Sequence, residues 1–210
     1  MKKKISVLIV DDHFMARMGL SVPINGEADM TVVAEACNAA QALTLYRKHR
    51  PDVVTMDYMM PDQNGVEATR AIIAAFPEAQ IIMLSGRDRE EDIHRAVEAG
   101  VRGYLTKAAE RDEVISAIRT VHHGGRVFPP EVAAKLAARN AREPLTEREI
   151  RILRLIVDGR SNKEICTALN MSGGLVKKEI SSVLEKLNAP DRTRAATLAI
   201  ARGIVHLHEG

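Results

Sequence analysis

The sequence predicts an α/β protein in which a doubly wound five-stranded parallel sheet is followed by a second, smaller all-α domain. In the first 125 residues, short apolar runs alternate five times with longer segments of helical periodicity. This alternation is typical of a parallel sheet with right-handed crossovers. After about residue 143 the strand-like runs stop and only helical patterns remain, which predicts the second domain.

Each strand of the sheet is predicted from an apolar run, and each helix from the segment that follows it. The predicted strands are 5–10, 31–36, 53–56, 80–84 and 102–106. The predicted helices are 12–25, 38–49, 65–76, 88–99 and 110–123. Pro23 lies inside the first helix, and because proline removes a helical hydrogen bond we expect it to end or kink that helix.

A stretch bounded by prolines separates the two predicted domains. It follows Gly124-Gly125, contains Pro129-Pro130 and an alanine-rich run, and ends before Pro144. Prolines at both ends and few bulky apolar residues indicate a linker that holds a short helix. The sequence therefore predicts one domain at 1–125, a linker at 126–143 and a second domain at 144–210.

Capping signals predict the first two helices of the second domain. Thr146 with Glu149, and Ser161 with Glu164, fit the capping box, in which a hydroxyl and a glutamate satisfy each other's exposed amides. The residues expected to end these helices are Gly159 and Asn170. Two further helices are predicted at about 173–187 and 192–201. Short helices joined by a tight turn, with lysines on the later one, are a helix-turn-helix candidate.

Small residues line the last predicted helix. The stripe consists of Leu198, Ala199, Ala201 and Gly203. Because small residues let two helices approach closely, we expect this stripe to serve both internal packing and a dimer contact.

Composition excludes several classes of protein. The chain is 46% hydrophobic and 28% charged, which is typical of a soluble globular protein. Its two cysteines, Cys37 and Cys166, form no CxxC or Cys/His cluster, so a reducing cytoplasm fits better than a disulfide framework or a zinc site. The apolar run after the basic N-terminus is too short for a signal peptide, and no segment reaches the ~18 apolar residues of a membrane span. We therefore expect a cytoplasmic location and no membrane partner.

Carboxylates follow two of the predicted strands. Asp11 and Asp12 come directly after 5–10, and Asp57 comes directly after 53–56. Ligands of open parallel sheets bind beyond the carboxyl ends of the strands, so these three acids are expected to converge. At ~4 Å and an effective dielectric of ~20, each like-charged pair costs about 4 kcal/mol. A hard divalent cation removes that cost, and Mg²⁺ prefers such oxygen ligands. The pattern predicts a magnesium site for phosphoryl chemistry.

Two further side chains at strand ends fit the same chemistry. Asp57 is the expected nucleophile, and Asp12 and Asp57 are expected to bind Mg²⁺ directly, with Asp11 binding it directly or through water. Ser85, after the fourth strand, can donate to a phosphoryl oxygen. Lys107, after the fifth, can supply a compact positive charge. Taken alone, each residue also fits a helix cap, a turn or a surface charge.

Residues 4–123 resemble a response-regulator receiver domain, which has a flavodoxin-like sheet. The matching segments are 7–16, 56–65 (MDYMMPDQNG), 84–85 and 104–107 (YLTK). The resemblance implies that Asp57 is the phosphoacceptor, that the Met59 backbone carbonyl is a further metal ligand, and that Ser85 and Tyr104 form a switch pair. It also implies that Ser85 moves toward the phosphate and Tyr104 fills the vacated space. Tyr104 alone fits core packing equally well.

Residues 144–208 resemble the LuxR-type helix-turn-helix of NarL/FixJ-class response regulators. The matching positions are 145–149, 159–165, 171–172, 176–177, 186–187, 192 and 195–196. The resemblance implies that helix 173–187 lies in the major groove of double-stranded DNA. The residues implied to face base edges are Lys177, Lys178 and Ser181, and those nearer phosphates are Asn162 and Lys163. Residues 144–210 carry 11 basic and 8 acidic side chains, which permits nucleic-acid binding.

Two positions depart from the LuxR-type pattern. Leu175 and Glu179 stand where family members usually carry threonine and histidine. Glu179 can accept from a cytosine amino group, weaken DNA binding, or pair with nearby lysines. Gly173-Gly174 at the helix start also lowers helix propensity, by ~1 kcal/mol for each glycine.

The leading hypothesis is a phosphorylation-controlled transcription regulator of a two-component system, and not an enzyme. A sensor histidine kinase would donate the phosphoryl group to Asp57, and a homodimer would bind DNA. Leu175, Glu179 and the glycine pair leave open a phospho-switch whose C-terminal domain binds protein instead. A stand-alone phosphohydrolase is disfavoured because the chain offers neither a substrate cap nor a second acid.

Overall fold

The computed structural model describes residues 3–61, 64–86 and 88–206. The chain divides into two compact units. The first comprises residues 1–88 and 92–134, and the second comprises 89–91 and 135–210, so the main division falls within the predicted linker. The outer ends of the two predicted domains, 1–2 and 207–210, lie outside the described residues. So do Asp62 and Gln63 of the MDYMMPDQNG motif.

Five parallel strands form one sheet in the order β2-β1-β3-β4-β5. The strands are β1 Ile5–Val10, β2 Met30–Ala36, β3 Val53–Asp57, β4 Ile81–Ser85 and β5 Gly103–Thr106. Every residue of β3 and β4 is buried, as expected for central strands covered on both faces. The order confirms the predicted doubly wound sheet. Its strand order reverses between β1 and β3, which is where ligands of such sheets bind.

Five helices cover the sheet. They are α1 Phe14–Gly26, α2 Ala39–His49, α3 Gly65–Ala75, α4 Glu90–Glu98 and α5 Arg111–His122. Asn38 and Asn64 cap α2 and α3 by accepting hydrogen bonds from the amides of Gln41 and Glu67. On the inner face of α5, Ile115 and Ile118 join a core that includes β1 residues. This core holds the carboxyl ends of the strands in fixed positions.

Pro23 lies within α1, which continues to Gly26. Pro23 therefore does not end the helix, and its other expected effect, a kink, stays a prediction. A proline in a helix leaves the carbonyl four residues earlier without its amide partner. That residue is Gly19, which is exposed, so water can reach this part of the helix. Pro23 is also close to the helix end, where few hydrogen bonds remain to be lost.

The second unit is helical. After the linker helix α6, Pro130–Asn140, come α7 Glu147–Val157, α8 Asn162–Leu169, α9 Gly173–Leu187 and α10 Arg192–Ala201. Both predicted capping boxes are present at the starts of α7 and α8. Gly159 and Asn170 have φ of 76° and 51°, the left-handed conformation that ends helices. These features confirm the predicted helix starts and stops.

Two apolar clusters form the core of the helical unit. The first includes Leu153 of α7, Val183 of α9 and Ala199 of α10. The second includes Ile165 of α8 and Val176 of α9. Ala199, one of the predicted small-residue stripe, is fully buried in the first cluster, so that residue serves internal packing.

Candidate functional site

Three acidic side chains converge at the carboxyl edge of the sheet. β1 and β3 are neighbours with Val10 in register with Met56, so the chain leaves both strands side by side. Carboxylate oxygens of Asp11, Asp12 and Asp57 lie within 4.8 Å of one another. Asp11 and Asp57 are each only 2% exposed. The structure therefore brings together the acids that the sequence placed at strand ends.

Lys107 lies between two of these acids. Its Nζ is 2.8 Å from Oδ2 of Asp11 and 2.8 Å from Oδ2 of Asp57. Its backbone amide donates to the carbonyl of Ser85 at 2.8 Å, which fixes the end of β5 against β4. The amide of Met59 donates to the other Asp57 oxygen, Oδ1, at 3.2 Å. The Asp57 carboxylate is thus oriented by a cation on one side and an amide on the other.

Burial and neighbouring charges both affect the ionisation of Asp57 and Lys107. Burial raises the pKa of the Asp57 carboxyl above its ordinary value, and the charge of Asp11 adds to this while Lys107 opposes it. Burial alone would lower the pKa of the Lys107 ammonium, but its hydrogen bonds to Asp11 and Asp57 outweigh burial and raise it. Lys107 thus pairs with two of the three converging carboxylates. Such a set of oxygens fits a hard divalent cation.

Gly65 begins α3 in direct contact with the end of β3. A Cβ on Gly65 would lie 1.9 Å from the carbonyl oxygen of Asp57, so a side chain here would displace the strand end or the helix. The Gly65 amide donates to the Tyr58 carbonyl at 2.9 Å. This glycine closes the MDYMMPDQNG motif and lets the helix approach the aspartate.

Ser85 and Tyr104 lie together in the interior beside the pocket. Both are fully buried. Burial raises the pKa of the Tyr104 hydroxyl, and a hydrogen bond with Ser85 opposes the rise. The structure thus places the predicted switch residues in contact, with Tyr104 already occupying an interior position.

The residues predicted to face DNA lie on the surface of the helical unit. Lys177, Lys178 and Ser181 of α9 are exposed, as are Asn162 and Lys163 at the start of α8. The Ser181 hydroxyl donates to the Lys177 carbonyl at 3.1 Å within the helix. All these polar groups are therefore accessible to a partner.

Glu179 has a partner that the sequence analysis did not name. Arg148 of α7 donates through Nη1 to Oε1 of Glu179 at 3.3 Å. Of the possibilities considered, pairing with a cation is what the structure shows, and the cation is an arginine of another helix. Leu175, the other departure from the LuxR-type pattern, is exposed one turn earlier.

Two family models match the chain. The model of the response regulator receiver domain matches residues 7–119, which is more than half of the chain. The chain belongs to the response regulators. The model of bacterial regulatory proteins of the luxR family matches residues 143–199, so this response regulator carries a LuxR-type domain after its receiver domain. Both resemblances drawn from the sequence are confirmed.

This response regulator has curated relatives that match over nearly their full length. It is 36% identical over 206 residues to the response regulator protein VraR of Staphylococcus aureus strain NCTC 8325, covering 96% of this chain and 99% of that protein. The match to VraR of Staphylococcus epidermidis strain ATCC 12228 has the same identity and coverage.

Solved structures of response regulators resemble this chain. The response regulator ChrA of a heme-sensing two-component system is 35% identical with a TM-score of 0.57, covering 96% of this chain and 99% of that one. A complex of the response regulator RcsB with DNA superimposes with a TM-score of 0.72, covering 95% of this chain and 99% of that one. At 21% identity, the RcsB likeness supports the fold alone.

Three site residues of this response regulator were not predicted from the sequence. The Tyr58 hydroxyl donates to Oδ1 of Asp92 at 2.8 Å, and both residues are buried. These residues are 34 positions apart, and no sequence pattern links them. His13 lies at the acidic cluster with Nδ1 2.9 Å from Oδ1 of Asp12. Its position directly after Asp11-Asp12 is a signal that could have identified it.

Glu149 was predicted only as a helix cap, but it also joins α7 to α9. Its carboxylate accepts hydrogen bonds from the Ser182 hydroxyl at 2.6 Å, the Lys186 ammonium at 3.0 Å and the Thr146 amide at 2.7 Å. Burial alone would raise the pKa of Glu149, but these bonds outweigh burial and lower it to about 2. This buried carboxylate thus stabilises the position of α9.

Among the residues that the structure describes, no helix combines the length and the apolar character needed to cross a bilayer.

Proposed function

We propose that this response regulator accepts a phosphoryl group on Asp57 from a sensor histidine kinase and thereby controls the binding of its last domain to double-stranded DNA. Residues 1–125 form the phosphoacceptor receiver domain, 126–143 the linker and 144–210 the DNA-binding domain. The observation that carries the proposal is the convergence of Asp57, Asp11 and Asp12 with Lys107 at one edge of the sheet. The protein acts as a regulator and not as an enzyme.

The pocket residues have distinct roles in the transfer. Asp57 attacks the phosphorus of the kinase phosphohistidine through one carboxylate oxygen, so that an O–P bond forms as the P–N bond breaks and the imidazole leaves with its electron pair. The Met59 amide orients the other carboxylate oxygen. The residues that would hold Mg²⁺ are Asp11, Asp12, Asp57 and the Met59 backbone carbonyl. When bound, the ion neutralises charge on the phosphoryl oxygens. Lys107 is close enough to Asp57 to pair with a phosphoryl oxygen, since Nζ is only 2.8 Å from the carboxylate.

Ser85 and Tyr104 convert the new charge into a conformational change. A phosphoryl group adds about −1.5 to −2 charges and three strong acceptors. The Ser85 hydroxyl, which is now hydrogen-bonded with Tyr104, turns to a phosphoryl oxygen. Tyr104, which lies on β5, then changes its position, so the face formed by α4 and β5 changes.

An exposed apolar face of α1 supports a protein partner at the pocket. Phe14, Met15, Met18 and Val22 are between 43% and 75% exposed, and α1 begins three residues after Asp11. Contiguous exposed apolar side chains mark interaction surfaces. A sensor histidine kinase that docks here would bring its phosphohistidine close to Asp57. Both kinase and DNA fit a cytoplasmic location.

The exposed side chains of α8 and α9 support DNA as the output partner. Lys177, Lys178 and Ser181 on α9 would face base edges, and Asn162 and Lys163 at the start of α8 would contact phosphates. The RcsB structures include two dimers bound to two parallel DNAs. We infer that this chain also binds DNA as a homodimer.

One experiment tests both halves of the proposal. The full chain and an Asp57→Asn variant are incubated with acetyl phosphate and Mg²⁺, and mass spectrometry determines label at residue 57. Binding to genomic DNA fragments is then measured by gel shift at low and physiological salt. We expect phosphate at residue 57 only in the wild-type chain, and tighter DNA binding after phosphorylation. Label without any DNA binding would favour the protein-binding alternative.

A further inference from the structure

Tyr58 and Asp92 form a buried polar pair between the phosphoacceptor and α4. Tyr58 directly follows Asp57 and is 3% exposed, and Asp92 lies on the inner face of α4 and is fully buried. The Tyr58 hydroxyl donates to Oδ1 of Asp92 at 2.8 Å. Burial and the Asp92 charge both raise the pKa of Tyr58, so its hydroxyl stays protonated and donates.

Packing alone does not account for a carboxylate at this position. Ile93 and Ala96 form the rest of the buried face of α4, and an apolar residue at 92 would pack beside them without desolvating a charge. A buried carboxylate is costly unless its hydrogen bonds compensate. The geometry therefore indicates that the hydroxyl–carboxylate contact itself has a role.

The backbone of Tyr58 is held on both sides. Its amide donates to the Leu84 carbonyl at 2.8 Å, directly before Ser85 on β4. Its carbonyl accepts from the Gly65 amide at 2.9 Å, at the first residue of α3. The backbone of Tyr58 is therefore tied to β4 and to the start of α3, and its side chain is the part that reaches α4.

We propose that the Tyr58–Asp92 hydrogen bond is a positioning contact that couples the segment after Asp57 to α4, in parallel with the Ser85–Tyr104 pair. A displacement of Asp57 or Met59 on phosphorylation moves the intervening Tyr58, and the hydroxyl transmits this movement to Asp92. Neither residue touches the phosphoryl group. The pair acts on the position of α4, the element whose face is expected to change.

Hydrogen exchange on the full chain tests this coupling without DNA. Amide hydrogen exchange of α4, residues 90–98, is measured before and after incubation with acetyl phosphate and Mg²⁺, with β2, residues 30–36, as the internal reference. In the wild-type chain we expect the amide exchange rates of α4 to change when Asp57 is phosphorylated. In Tyr58→Phe, which keeps the ring, we expect label at Asp57 but a change in α4 about fivefold smaller.

Companion variants separate coupling from stability. Asp92→Ala should reduce the α4 exchange response as Tyr58→Phe does. The double variant should reduce that response no further than the more affected single variant does. Asp92→Asn keeps an acceptor oxygen and should largely restore the response. Tyr46→Phe alters another buried tyrosine, on α2, and should leave the response of α4 unchanged.

This inference rests on the phosphorylation of Asp57 given in the proposed function, but it does not depend on DNA binding. If phosphorylation changes the exchange of α4 in the wild-type chain but about fivefold less in Tyr58→Phe, while DNA affinity stays constant, the proposed DNA output is wrong and the coupling stands. Absence of phosphate at Asp57 in the wild-type chain would instead contradict the proposed function. A labelled Tyr58→Phe chain whose α4 responds as fully as that of the unmodified chain would overturn the coupling. So would a Tyr46→Phe chain whose α4 response falls as far as that of Tyr58→Phe.

Discussion

Nζ of Lys107 lies 2.8 Å from Oδ2 of Asp57. The proposed phosphoacceptor is therefore paired with the ammonium of the residue that follows β5 before any phosphoryl group arrives. The same ammonium lies 2.8 Å from Asp11. Lys107 therefore competes with a divalent cation for the same carboxylates, and this competition can be measured.

Lys107→Met should bind Mg²⁺ about tenfold more tightly, because a positive charge no longer opposes the incoming cation. Isothermal titration calorimetry of the full chain with MgCl₂ measures the difference. Lys48→Met removes an exposed lysine of α2 and serves as the control. Equal or weaker Mg²⁺ binding by Lys107→Met would show that the ion does not share the carboxylates with Lys107.

Asp57→Asn should raise the thermal midpoint of the receiver domain at pH 7 without divalent cations. The folded-state pKa of Asp57 is raised above its ordinary value of 3.8. The stability linked to this carboxyl is therefore fully present below pH 3.8 and is lost as the pH rises through the folded-state pKa. Calorimetry between about pH 4 and 7 should show the two midpoints diverging as the pH rises.

Asp52→Asn should lower the thermal midpoint at pH 7, the opposite of the effect expected for Asp57→Asn in the same calorimetric scans. Burial alone would raise the pKa of Asp52, but hydrogen bonds from the amide and hydroxyl of Ser6 outweigh burial and lower it. Its stabilisation is therefore present above the ordinary pKa and is lost on acidification. If both variants shift the midpoint in the same direction at pH 7, the charge of Asp57 is not the cause.

Glu149→Gln should destabilise the helical domain by about 1.5–3 kcal/mol, the usual range for hydrogen bonds to a charged group. The folded-state pKa is about 2 and the ordinary value is 4.5. The stabilisation should thus be complete above pH 4.5 and disappear as the pH falls toward about 2. Calorimetry of the full chain measures the second domain's transition. Glu147→Gln, at an exposed position of the same helix, should leave this transition unchanged.

Glu179→Gln should increase DNA affinity and steepen its salt dependence. The substitution removes a carboxylate from the α9 surface and frees Arg148 to contact a phosphate, which adds about one unit to the slope of log K against log salt. Fluorescence anisotropy with a bound fragment at several salt concentrations measures both quantities. Glu185→Gln, an exposed position further along α9, is the control. Weaker, less selective binding would instead mean that Glu179 contacts a base.

Gly174→Ala should stabilise the helical domain by about 0.5–1 kcal/mol, because Gly174 lies within α9 and a Cβ there meets no atom within 4 Å. Chemical denaturation measures the gain. Reduced DNA affinity in the stabilised variant would show that this glycine permits close approach to the DNA backbone.

Patterns close together in the sequence predicted most of this fold. Five apolar runs identified the five strands, because a buried parallel strand needs a continuous apolar segment. The strand ends then placed Asp11, Asp57, Ser85 and Lys107 at one edge, since all carboxyl ends of a parallel sheet meet there. Capping boxes located α7 and α8 because their hydrogen bonds join residues only three positions apart.

Side-chain contacts that depend on how a helix packs against another element were beyond sequence analysis. Tyr58 and Asp92 are 34 positions apart, and Arg148 and Glu179 are 31 apart. Such pairs depend on how two elements pack, which no local pattern encodes. Whether Pro23 ends α1 could not be predicted for a related reason, because the cost of a helical proline depends on its surroundings as well as on the lost hydrogen bond.

The pocket is assembled from the ends of four strands, and the lysine that pairs with Asp11 lies 96 residues further along the chain. During translation, the acids emerge from the ribosome well before Lys107 and before β5 can join the sheet. An unfinished chain therefore has the phosphoacceptor residue but not its charge partner. A chain that stops before Lys107 would lack the ammonium that lies between Asp11 and Asp57.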